Sequence, residues 1–295
     1  MIEYRVMIDT NSLNPNITHH VKPFRDRKLG RMESYNLVMY KYIPLKYVLN
    51  MFETKVIRFD NIKKWEDVYE NFVDKEDIHL LNSKRDDIFR STYYGQSWTT
   101  QEESDAMWRI YSNTGYVVRV MTVYPLLFHV LVEWMTDHKD TPTTITIDHV
   151  YYADENEITE WLLSNSPMNL WAFIELQEEG IFIKRREFEH EKEVRAILRS
   201  SKNDKREYIE LNFDPHKVFR EIVIDPRVSE DEFIRQRDCL VNRGFDMSKI
   251  RKSTLYDFKK VTLDIDMSEP CEFPLEYPDK DGNVKKESVF MNGLG

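Results

Sequence analysis

Phe188-Glu189-His190-Glu191-Lys192-Glu193-Val194-Arg195-Ala196-Ile197-Leu198 is the stretch on which the reading of this chain turns. Its later part has the alternation of a strand. Val194, Ala196 and Leu198 fall on one face, and Glu191, Glu193, Arg195 and Ile197 on the other, because successive side chains point to opposite sides. Two carboxylates and a guanidinium therefore line one strand face. Turned toward a cleft, such a row holds a sugar hydroxyl or a developing positive charge. Turned toward solvent, it is a surface ion pair worth at most about 1 kcal/mol. The company this strand keeps along the chain decides between the two.

Upstream, Leu37–Tyr42 reads as a strand, Pro44 as the opening of a helix with the stripe Leu45, Val48, Leu49 and Phe52, and Lys55–Phe59 as a second strand. Lys64–Glu70 looks helical, and Tyr93–Thr99 extended. Glu102–Tyr111 reads as a helix with Ala106, Met107 and Ile110 on one side. Tyr116–Val120 is a strand, Pro125–Met135 an apolar helix, Thr143–Tyr152 a strand, and Glu155–Leu163 and 166–178 helical. Strands follow at Gly180–Lys184, Tyr208–Phe213 and Arg220–Ile224. Ser229 with Glu232 three residues on opens a helix in the capping-box pattern, and Gly244 ends it. Lys249–Tyr256 reads as a last strand. The pattern is α+β: one domain over 35–261 with a mixed β-sheet core and flanking helices, an N-terminal extension at 1–34 and a loosely packed C-terminal tail at 262–295.

Composition narrows the function classes. The 295 residues are 41% hydrophobic and 32% charged, enough for a substantial core under a well-solvated surface. With eight glycines there is neither a GxGxxG nor a GxxxxGK[ST] segment, which removes the main support for Rossmann and P-loop readings. The net charge of −10 makes a poor general binder of nucleic-acid phosphate. The basic clusters Lys184-Arg185-Arg186 and Lys249, Arg251 and Lys252 leave a local phosphate contact open, though each suits solvated surface better. Cys239 and Cys271 form no CxxC pair, the eight histidines are scattered and no HExxH occurs, so no metal and no disulfide framework are expected. The chain has no run of about 18 apolar residues and no apolar leader, so a cytoplasmic protein that does not enter a membrane is expected.

Four segments stand out by order and spacing: Tyr40-Lys41-Tyr42; Trp65-Glu66-Asp67-Val68-Tyr69-Glu70; Gly95-Gln96-Ser97-Trp98-Thr99 with Glu103-Ser104-Asp105-Ala106-Met107-Trp108-Arg109-Ile110-Tyr111-Ser112; and Lys184-Arg185 followed by Phe188-x-His190-Glu191-x-Glu193-Val194-Arg195. Together, from about residue 37 to 256, they resemble the bacterial domain-of-unknown-function family DUF2971. Ser97 stands where the resembling sequences usually carry Cys, and Val68 where they carry Pro. The opening strand–helix–strand unit and the late Glu-x-Glu strand are in turn similar to the ADP-ribosyltransferase fold, which includes toxins that modify DNA and RNA.

That resemblance implies a set of roles. An early strand supplies a basic or aromatic residue, here Lys41 or Tyr42. A middle strand supplies Ser97, and a late strand Glu191 or Glu193. The substrate implied is NAD, with an unknown macromolecular acceptor, protein or nucleic acid. Glu193 would face the oxocarbenium-like sugar and Glu191 the acceptor nucleophile. Tyr42 or Trp98 would stack on nicotinamide, Arg109 would hold the diphosphate, and Arg195 completes the implied NAD-binding set with Lys41. Each residue also has a plainer explanation. Tyr42, Trp98, Trp108 and Tyr111 suit ordinary packing, and Arg109 suits a salt bridge to Glu70 or Asp105. Lys41 and Tyr42 cannot both face one side of a regular strand. Two functions follow: a toxin or anti-phage ADP-ribosyltransferase, or a non-catalytic interaction module with a protein partner in a defence or toxin–antitoxin complex.

Overall fold

A computed structural model of the chain describes residues 37–65, 92–112, 116–137, 143–164, 176–200, 204, 206–258, 271–279 and 281–291. The chain divides into two units, Met1–Leu255 and Tyr256–Gly295. The expected extension at 1–34 and most of the helical segment Lys64–Glu70 lie outside the described residues.

The first unit is built on a forked, mixed sheet. β1 (Val38–Pro44) enters α1 (Leu45–Thr54), and β2 (Val56–Asn61) follows. Pro44 suits this junction because its fixed φ precedes a helix without costing a needed N–H. α1 buries Leu45, Val48, Met51 and Phe52, the stripe of a helix packed on a sheet. Lys55 closes it in the left-handed region, at φ 55°. Then come β3 (Thr92–Thr99), α2 (Asp105–Tyr111), β4 (Val117–Val123), α3 (Tyr124–Asp137) and β5 (Thr143–His149). β6 (Tyr151–Ala153), α4 (Glu155–Ser164) and β7 (Ile183–Arg185) follow. β8 (Glu193–Ser200), β9 (Tyr208–Asn212), the short α5 (Pro215–Val218), β10 (Glu221–Ile224), α6 (Glu230–Val241) and β11 (Ile250–Lys252) complete the unit.

β3 is the hub. Along its whole length one edge pairs antiparallel with β8, from Thr92↔Ser200 to Thr99↔Glu193. Its other edge is shared. β2 takes Tyr94 and Gly95, and β1 meets it at Thr99. β4, β10 and β11 extend the sheet beyond β1, β9 lies outside β2, and β5 lies outside β8. Between the two short junctions, β1 and β2 part.

The alternation read from the sequence of β8 holds. Val194, Ala196 and Leu198 join the main core with Tyr94 and Trp98 of β3, Met39 and Ile43 of β1, and the helices α1 and α3. The opposite face is closed as well. α2 packs Met107 and Trp108 there against Tyr42, Val117 and Val223. Ala106 and Ile110 are exposed, contrary to the expected stripe, because this two-turn helix meets the sheet through the neighbouring pair 107/108.

Three further expectations change. Thr143–Tyr152 is not one strand: β5 ends at His149, and β6 leaves for a separate two-stranded parallel sheet with β7. Residues 176–180 are helical, so the strand expected over Gly180–Lys184 shortens to Ile183–Arg185. Lys249–Tyr256 keeps strand geometry only at Ile250–Lys252. In the second unit, 271–291 is no loose tail. β12 (Cys271–Pro278) and β13 (Val284–Met291) pair antiparallel in an eight-rung hairpin whose turn places Gly282 at φ 83°.

The cap of α6 is as expected, with Ser229 Oγ accepting from the Glu232 N–H at 3.2 Å. Ser229→Ala should lower unfolding free energy by about 1 kcal/mol in chemical denaturation.

Candidate functional site

The fork leaves a cavity of about 870 Å³ between β1, α1, β2 and β3, with Glu191 and Glu193 reaching its wall. Two side chains take the place of the missing sheet rungs. Lys41 Nζ donates to the Ser97 carbonyl at 2.8 Å, and Gln96 Nε2 donates to the Arg58 carbonyl at 2.5 Å. Both satisfy edge groups that would otherwise be orphaned. Gly95 lines the same cavity. A Cβ there would sit 2.7 Å from Ile197 Cδ1 and 2.9 Å from the Trp65 ring, so any side chain at this position would have to displace them.

Glu193 is 3% exposed and fully engaged. Arg195 Nε donates to its Oε1 at 2.9 Å and Nη2 to its Oε2 at 3.2 Å. Lys184 Nζ reaches Oε2 at 3.0 Å. Ser97, opposite Arg195 in the β3–β8 register, helps to hold the same carboxylate ionised. Burial pushes the Glu193 pKa up, but Arg195, Lys184 and Ser97 outweigh it and bring it down from 4.5 to about 2. Its backbone N–H donates to Tyr152 Oη at 2.8 Å. Burial lifts the Tyr152 hydroxyl to about 12, so it stays neutral.

Glu191 shares the site but not the strand. Arg186–Glu191 form a 3-10 turn, and Lys192 is left-handed at φ 46°, so β8 begins only at Glu193. The sequence expectation of one row 191/193/195 is corrected to that extent. The turn still brings Glu191 to Lys184, with Oε2 2.7 Å from Nζ. It is pinned from β3 too, where Thr99 Oγ1 donates to the Glu191 carbonyl at 2.5 Å.

The other expected residues divide. Lys41 is half-buried on the cavity wall, with Nζ 5.7 Å from the Trp98 ring centroid. Burial lowers its pKa to about 8, against the opposing pull of Glu193 and Asp60. Tyr42 also lines the cavity, though from the α2 side, edge-on to Trp108 at 4.8 Å and stacked on Tyr111 at 6.1 Å. Both residues of this alternating pair thus reach the cavity, because it passes through the gap in the sheet rather than lying on one face. Trp98 lines it while packing in the main core. Arg195 is fully buried behind Glu193, its guanidinium 4.4 Å from the Trp65 ring, and is absent from the cavity lining. It bonds Glu193 from the side away from the cavity lining. Arg109 lies apart from the others: it is exposed on α2, bonded to Asp105 at 2.8 Å, and does not line the cavity.

Lys184 and Tyr152 were not among the expected residues. Lys184 read as part of a solvated basic cluster, yet it is 8% exposed and bridges both glutamates. The apolar run Ile181-Phe182-Ile183 directly before it was the available signal of burial.

No protein-family profile, curated protein or solved structure was found to match this chain. Among the described residues no helix is long and apolar enough to cross a membrane, and no group of three or more His, Cys, Asp or Glu is placed to hold a metal ion.

Because the folded pKa of Glu193 lies below its ordinary 4.5, its stabilisation is complete above that value and is lost as pH falls toward 2. The shift corresponds to about 3 kcal/mol. Glu193→Gln should remove this acid limb and cost about 3–5 kcal/mol at neutral pH, since it leaves Arg195 buried without its counter-charge. Urea titrations of both proteins between pH 3 and 7 read this out. Equal stability of the two at pH 7 would refute the buried pair.

Proposed function

We propose that this protein is an NAD-consuming ADP-ribosyltransferase-like enzyme of the kind its resemblance to DUF2971 implies, acting in the cytoplasm as a toxin or anti-phage effector on a protein or nucleic-acid acceptor. The observation that carries the reading is the meeting of Ser97, Glu191 and Glu193 on the wall of one cleft that Lys41, Tyr42 and Trp98 also line. A cavity of about 870 Å³ lies within the usual range of small-molecule sites. The aromatic faces suit a flat ring, and the Lys41 ammonium suits an anionic group.

NAD, as substrate, brings a glycosidic bond between a ribose carbon and a pyridinium nitrogen. That bond breaks, its electron pair leaves with neutral nicotinamide, and the acceptor's nucleophile bonds to the ribose carbon. Positive charge spreads over the sugar on the way. The fixed carboxylates of Glu191 and Glu193 stabilise that charge, and Ser97 keeps Glu193 in place. The nucleophile's proton passes to Glu191.

The second reading is the non-catalytic interaction module. It is favoured by the engagement of Glu193 with Arg195, Lys184 and Ser97, which is how a purely structural carboxylate is held.

Incubation with labelled NAD and a panel of protein, DNA and RNA separates the two. The transferase reading expects nicotinamide release and label transfer. Glu191→Gln should slow this by about a hundredfold. Stability should change by only about 1 kcal/mol, because Lys184 keeps Glu193 as counter-charge. Wild-type protein that neither binds nor turns over NAD with any acceptor leaves the module standing.

A further inference from the structure

We infer that Lys184 is a positioning residue that divides the work between the two glutamates, fixing Glu193 as an anchor and presenting Glu191 as the carboxylate that meets the ligand. The inference rests on the transferase reading for its chemistry, but its geometry stands alone. The resemblance puts the sugar-facing role on Glu193; the hydrogen bonds put it on Glu191.

Both oxygens of Glu193 are taken. Oε1 receives Arg195 Nε, and Oε2 receives Arg195 Nη2 and Lys184 Nζ. A ligand approaching Glu193 must break bonds inside a closed network. Glu191 differs. Among the described residues, Lys184 is the one side chain bonded to its carboxylate, and the bond uses Oε2 alone. Its side chain is 16% exposed against 3% for Glu193, and it lines the cavity. Oε1 of Glu191 is therefore the carboxylate oxygen of this pair left to a ligand.

Lys184 is placed by other means than the glutamates. It sits on β7, in the two-stranded sheet with β6, where Ile183 packs with Ala153, Ile158 and Leu176 in a cluster of their own. Tyr152 on β6 accepts from the Glu193 N–H, so this small lobe grips the start of β8 at two points. Among the described residues, the charged and titratable groups around the carboxylates are Lys184 from β7, Tyr152 from β6, Arg195 from β8 and Lys41 from β1. By the two Nζ distances, 2.7 and 3.0 Å, the bonded oxygens of Glu191 and Glu193 lie within about 6 Å of each other. Like charges that close need a shared cation to stay together. Without Lys184 the turn 186–191 loses the bond that holds its last side chain at the cavity.

The test has two arms on the full chain. In the first, wild-type protein is treated with a water-soluble carbodiimide and glycine ethyl ester, and its peptides are analysed by mass spectrometry. The expected result is an activated Glu191, captured as an amide by Lys184 with loss of one water, and an unmodified Glu193. In Lys184→Met, Glu191 should take up the external amine instead. Modification of Glu193 with Glu191 untouched would overturn the inference. The second arm is kinetic. Lys184→Met should lower kcat for NAD by about tenfold to a hundredfold at little-changed KM, as loss of a residue that orients a reacting group does. The double variant with Glu191→Gln should be no slower than the slower single one. Losses that multiply would mean independent roles and would overturn it. If wild-type protein does not consume NAD, the transferase reading falls by itself, and the labelling pattern still decides the positioning.

Discussion

One strand edge cannot serve two partners over the same residues, and that limit shapes this protein. β8 occupies one edge of β3 throughout, while β1 and β2 compete for the other and each holds only an end of it. Between Gly95 and Thr99 the edge must find other partners or stay unpaired, at a cost of about 1–3 kcal/mol per buried group. Lys41 supplies one to the Ser97 carbonyl, and Gln96 reaches across from β3 to the Arg58 carbonyl of β2. A cleft is the geometric remainder, and α1, which ties the end of β1 to the start of β2, forms part of its wall.

The same fork explains why charge is buried beside the cleft. With Ile62, Trp65, Ile181 and Phe182 packed against Tyr93 and Ile197 on the second face of the sheet, the polar row of β8 has no solvent to face. Arg195 and Glu193 are sealed against each other, with Trp65 against the guanidinium. Desolvating such a pair is costly, and it persists only where further hydrogen bonds complete it. Lys184 and the Ile181 carbonyl do so. The result is a rigid, ionised carboxylate at a cavity wall, with a second carboxylate held beside it by the shared lysine.

Much of this was legible in the residues, and the parts that were not have physical reasons. Period-two alternation placed Val194, Ala196 and Leu198 in the core and Glu193 and Arg195 together, because a strand's faces follow from its geometry alone. Pro44 with the stripe after it marked α1, and Ser229 with Glu232 marked α6, because these signals act within a few residues. Glu191 escaped the strand because a left-handed Lys192 breaks the period, and nothing about a lysine in sequence announces a positive φ. Of the two readings open for Arg109, an anion contact or a salt bridge, the structure holds the salt bridge, to Asp105 one helical turn earlier. Lys184 and Tyr152 were hidden because their partners are brought to them by a small separate sheet, a relation carried by tertiary packing rather than spacing. The hairpin at 271–291 was masked by its prolines and charges, which read as loop although both strands keep register.

The central claim is that the fork between β1 and β2 is a binding cleft and not a packing defect. A crystal structure of the full chain soaked with NAD tests it most directly. The account predicts NAD seated in the fork, with Lys41 and Trp98 on one side, Glu191 Oε1 within hydrogen-bond distance of the ribose, and the Glu193–Arg195 pair unchanged behind it. An empty fork at saturating NAD, or NAD bound elsewhere on the surface, would contradict it.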